Sequence, residues 1–192
     1  MAQRILEPGE IETLASRDVP RIILPDTRSL FATRAARLRS LAAYSAIGGY
    51  LQLLAALADA QQALLEELTP QQREALQDHA RAQQSSAAAS AGMPLRPANT
   101  LHLDGRWRDW LRTLCRHCAD EAGLPAETRQ ELLRVAAADD TWLDAQAHAV
   151  LERADAPPVD AVAALLVMNA LQVYWAVLAA SFRPSDLKPL AD

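Results

Sequence analysis

From Ala161 to Phe182 the chain runs for 22 residues without a single charge. A helix that long and that apolar has two possible homes, the hydrocarbon of a bilayer or the interior of a helical bundle. Two features favour the interior. Alanine, which contributes little to membrane insertion, supplies much of the run, and Asn169 and Gln172 stand near its middle. The reading is therefore no membrane span, but a central rod that amphipathic neighbours must wrap. Buried amides must also find partners, since an unpaired one costs about 1–3 kcal/mol.

Neighbours of the required kind are visible upstream. Phe31, Ala35, Leu38 and Ala42 recur on one helical face, with Arg34 and Arg37 along its edge. After Gly48-Gly49 a second stripe follows, Tyr50, Leu53, Leu54, Leu57, Leu64 and Leu65, with Gln61 inside it. The first helix is expected over roughly 27–46, capped by Asp26 or Thr27 and ended by the glycines, and the second over about 49–68. Thr69-Pro70-Gln71-Gln72 has the form of a capping box with proline at N1, opening a third helix over about 70–84. A low-complexity stretch, SSAAASAGMP, reads as a linker inside the domain. Asp104 caps a fourth helix that Gly123 ends. Pro125 opens a fifth (126–138), Asp139 or Asp140 a sixth (141–154), and the apolar rod is the last (159–182). The fold class is all-α, an irregular bundle of six to seven helices around the C-terminal rod. Residues 1–26 read as an irregular N-terminal arm, 27–183 as the helical domain and 184–192 as the start of a linker.

Composition agrees with this class. Hydrophobic residues make up 51% but aromatics only 5%, so alanine and leucine, the best helix formers, supply the apolar surface. The net charge of −5 argues against a nucleic-acid partner. No signal-peptide h-region is visible in MAQRILEPGEIETLASRDVPR, and two cysteines make no disulfide framework, so a cytoplasmic protein is expected.

Three groups of residues are candidates for more than packing. Gln61, Asn169 and Gln172 are expected to be buried polar groups that hydrogen-bond between helices and fix their register. Arg28, Arg34 and Arg37 form a basic edge that could receive a carboxylate-rich segment of a partner, or could equally pair with acids of a neighbouring helix. Cys115 and Cys118 invite a redox or metal reading. They lie mid-helix, however, away from the dipole that activates a Cys-x-x-Cys thiol, and beside Trp107, Leu111 and Leu114 they suit two small core residues. There is no second cysteine pair to complete a tetrahedral zinc site. No phosphate loop, Ser-His-Asp arrangement or acid–base carboxylate pair is present, so no catalytic residue is assigned.

Four segments, LFATRAARLRSLA, GGYLQLLAALADAQ, LRPANTLHLDGRW and MNALQVYWAVLA, resemble in sequence and order the N-terminal helical region of the FdhE family of formate dehydrogenase accessory proteins. The resemblance implies a cytoplasmic, non-enzymatic maturation factor whose partner is the catalytic subunit of a respiratory formate dehydrogenase. It also implies that metal binding belongs to a cysteine-rich C-terminal half built from CPxCG knuckles. Cys115 and Cys118 do not match that motif, and no cofactor is expected within these residues. Two other readings stand beside it: an all-helical chaperone that holds molybdoenzyme leader peptides, and a thiol oxidoreductase using Cys115 and Cys118.

Overall fold

A computed structural model describes residues 23–82, 103–121, 124–152 and 159–182. The expected arm before residue 23, the linker SSAAASAGMP, Gly123 and the tail after residue 182 lie outside the described residues. Seven helices are present among those described: α1 Leu30–Ala42, α2 Gly48–Glu67, α3 Pro70–Ala82, α4 Arg106–Ala119, α5 Ala126–Ala136, α6 Asp140–Glu152 and α7 Ala161–Ala180. The fold is all-α.

The apolar rod is α7, and α2, α3, α4, α5 and α6 all pack against it. By length and composition alone it could cross a membrane, yet 61% of its most apolar window is buried inside the protein. Every residue from 162 to 179 is buried or half-buried, which explains why the helix shows no polar face. Asp160 starts it. Its carboxylate accepts hydrogen bonds from the Val162 and Ala163 amides at 3.0 and 2.9 Å, while the Gln146 carboxamide on α6 accepts the Asp160 amide at 3.0 Å. The Ala163 amide and Arg134 hold the Asp160 carboxyl below the usual carboxylate range.

Helix α4 supplies the sharpest amphipathic face. Trp107, Trp110, Leu111, Leu114, Cys115 and Cys118 follow the helical period and are all buried. Its C-terminal carbonyl at Ala119 accepts from the Arg129 guanidinium at 2.8 Å, a bond that ties α5 to the end of α4. From its outer side Arg108 and Arg112 reach the start of α6, pairing with Asp144 and Asp140 at 2.6 Å each. Asp139 caps α6 through the Trp142 amide at 2.9 Å, so the two aspartates divide capping from ion pairing. The capping box at α3 forms as its sequence suggests: Thr69 Oγ1 accepts from the Gln72 amide at 3.2 Å and Gln72 Oε1 from the Thr69 amide at 2.8 Å.

The α1–α2 hairpin departs from the sequence reading in three places. Helix α1 stops at Ala42, and Gly48-Gly49 begin α2 after a turn instead of ending α1. Neither Asp26 nor Thr27 caps α1. Asp26 accepts instead from the Arg28 amide at 3.1 Å, and the first free amides of α1, Phe31 and Ala32, are met by the Gln62 carboxamide oxygen at 3.3 and 3.4 Å. Tyr50 is half exposed, because the N-terminal end of α2 overhangs the core that Leu57, Leu64 and Leu65 enter.

Gly48 is required by a close approach. A Cβ placed there would lie 2.7 Å from the Ala42 carbonyl oxygen, a backbone atom at the end of α1, whereas one at Gly49 would meet nothing within 4 Å. Gly48→Ala is therefore expected to lower stability by about 1–3 kcal/mol as the hairpin is forced open. Gly49→Ala should be neutral or stabilising by up to about 1 kcal/mol through helix propensity. Urea unfolding midpoints of the two variants check this, and equal midpoints would contradict the packing described.

Candidate partner-binding surface

The expected set of three buried amides is met in part: Gln61 and Asn169 are buried, Gln172 is half-buried, and the Asn169 side chain bonds within α7 and not between helices. Gln61, fully buried on α2, donates from Nε2 to the Asn169 backbone oxygen at 2.7 Å and lies 3.4 Å from Gln172 Oε1. Asn169 turns its own Nδ2 back to the Leu165 carbonyl at 2.8 Å, one turn earlier on α7. Gln172 Oε1 also accepts from Arg34 of α1 at 2.5 Å. One carboxamide thus joins three helices, α1, α2 and α7. Sequence reading missed the fourth amide. Gln62 falls in the buried stripe Ala55, Ala58 and Leu65, and it bonds the start of α1 through both ends of its side chain. Its position inside that stripe was the available signal.

The basic edge does not present three equivalent guanidinium groups. Arg28, 90% exposed, pairs with Asp26 at 3.1 Å. Arg34, itself exposed, donates to Gln172 and lies 5.2 Å from the centroid of the Phe31 ring. Arg37 is exposed and makes no ion pair with any described residue.

Cys115 and Cys118 are both free thiols with no exposed surface, packed in the main core. Burial pushes both thiols up to about 12, so almost no thiolate exists near neutral pH. Among the described residues no three His, Cys, Asp or Glu side chains come together closely enough to hold a metal ion. Among the described residues the two cysteines have no further ligand at hand, and they pack as small core side chains.

The surface feature with most chemical content is one that periodicity could not supply. Leu41, Tyr44, Ile47 and Tyr50, at the end of α1, the turn and the start of α2, are all exposed, Tyr44 by 96%. Four large apolar side chains are exposed within ten residues, a concentration of the kind that marks a candidate interaction site.

Comparison with known proteins places the chain. Residues 19–192 match the family described as "FdhE, N-terminal". The chain belongs to the FdhE family. A "Protein FdhE homolog" of Pseudomonas putida is 32% identical over 194 residues, covering 96% of this chain and 55% of that protein. One of Cronobacter sakazakii is 31% identical over 182 residues, covering 93% and 56% respectively. One of Stutzerimonas stutzeri is 43% identical over 107 residues, covering 56% of this chain and 32% of that homolog. The chain therefore spans about half the length of the Pseudomonas putida and Cronobacter sakazakii homologs. No solved structure matches it.

The core placement of the two cysteines can be checked directly. A chromogenic disulfide reagent at pH 8 should leave both thiols unmodified in the native protein and modify both in denaturant. Native reaction of either at the rate of a free cysteine would return the thiol chemistry to consideration.

Proposed function

We propose that this chain is the helical part of an accessory factor for formate dehydrogenase. It works in the cytoplasm by binding the enzyme's catalytic subunit during maturation, and not by catalysing a reaction. The observation that carries this reading is membership of the FdhE family over residues 19–192. The exposure of Leu41, Tyr44, Ile47 and Tyr50 at one corner supports a binding role. A patch that apolar has no evident use in an isolated bundle whose core is already filled.

Within this reading the described residues hold no cofactor, and the two cysteines are packing groups. Of the arginine edge, Arg37 is the member open to a partner's carboxylate, because Arg28 and Arg34 already have neighbours. The contact is therefore mainly apolar, with one peripheral charge.

Affinity capture tests this directly. Tagged chain should retain the catalytic subunit of formate dehydrogenase, and the pair Tyr44→Asp and Ile47→Asp should weaken retention by about tenfold or more. Both side chains are exposed, so the helical signal of the variant should match the original. Failure of the unmodified chain to retain the subunit would overturn the proposal.

A further inference from the structure

Helices α2 and α5 both pack on α7 but diverge from each other, and a groove opens between them. Its two depressions, about 450 and 720 Å³, share Tyr50, Leu53 and Thr128, so they form one continuous trough. Leu57, Leu132 and Leu166 floor its deeper end. The two walls differ. On the α2 side, from Gly49 to Leu57, no charged side chain lines the trough. On the α5 side stand Glu121, Glu127 and Glu131. Glu131 pairs with Arg134 at 2.8 Å, while the exposed Glu121 and Glu127 make no ion pair with any described residue. The one guanidinium on the trough, Arg39, hydrogen-bonds Asp59 and also acts electrostatically on Glu121, so Glu127 is the acid of this wall with no cation beside it among the described residues.

An apolar floor with acid along a single wall has a definite complement. We infer that the trough seats an amphipathic helical segment of a partner protein, with large aliphatic residues facing α7 and Lys or Arg facing α5. The Gly49–Leu57 wall rises about 12 Å, which accommodates anchors at i, i+3 or i+4, and i+7 of a docked helix. Tyr50, the last residue of the exposed corner, also lines the trough, so the corner and the trough share that residue. A second copy of this chain fits less well, because it would bring a net charge of −5 to an acidic wall. The inference rests on the proposed role as a binding factor and specifies the chemistry of what is bound.

The test uses the whole chain and two synthetic peptides of about 18 residues with the same helical leucine stripe, one with lysine at the other positions and one with glutamate. At near-physiological ionic strength the lysine peptide should bind, as read by fluorescence anisotropy, and the glutamate peptide should not. Reversing both open acids, Glu121→Lys with Glu127→Lys, should weaken the lysine peptide by about tenfold or more. Reversing an exposed acid elsewhere, Glu74→Lys on α3, should change it by less than about twofold. Equal weakening by both sets would show diffuse charge attraction and overturn the inference. So would self-association of the chain that the double reversal abolishes, which would assign the trough to a second copy. The same double variant should also lose the formate dehydrogenase catalytic subunit in affinity capture. If unmodified and variant chains retain that subunit equally, the trough assignment fails while the proposed function stands. If neither retains it, the proposed function fails, and the peptide result alone decides the trough.

Discussion

The structure depends on the removal of one twenty-residue apolar helix from water. With no polar face of its own, α7 can be stable in water only if other elements surround it, and α2 through α6 do so. Leu166, Leu171 and Leu178 are fully buried along it, each contributing about 1.5–3 kcal/mol by leaving water. The other helices then take their orientation from how they cover it. Polar bonds mark the crossings: Gln61 to the α7 backbone, Gln146 to the α7 start, and Arg134 to Asp160.

Helix α1 is attached differently. It packs chiefly on α2 rather than on the hub. The means are Gln62, which satisfies its first amides, the close approach at Gly48, and the Arg39–Asp59 pair. Being one layer removed from α7, the corner where α1 turns into α2 is where large side chains remain uncovered. Both α1 and α7 pack on α2, and Tyr50 near its start remains half exposed, between the corner and the trough.

Much of the fold was legible because burial imposes a period. The stripes of α1 and α4, the uncharged run of α7 and the Thr69–Gln72 box each follow from local chemistry and appear in the structure. What escaped were features that depend on residues distant in sequence. Asp26 looks like a cap for α1, but the cap comes from Gln62, 31 positions beyond Phe31. Gly48 looks like a helix stop, yet its role is to let two backbones approach. The paired arginines of α4 meet Asp140 and Asp144 only because α4 and α6 both pack on α7. The trough is the clearest case. It is a gap between two helices, and no stretch of either reveals it.

The account stands or falls on α7 being the interior of a water-soluble bundle, and native-state amide hydrogen exchange in aqueous buffer measures this most directly. Amides from Leu166 to Val177 should be the slowest in the chain, exchanging only through global unfolding and with the full denaturant dependence of that event. Amides of α1, which packs chiefly on one neighbouring helix, should open at lower free energy. Exchange across Leu166–Val177 as fast as that of α1, and insensitive to denaturant, would contradict the architecture and the surfaces derived from it.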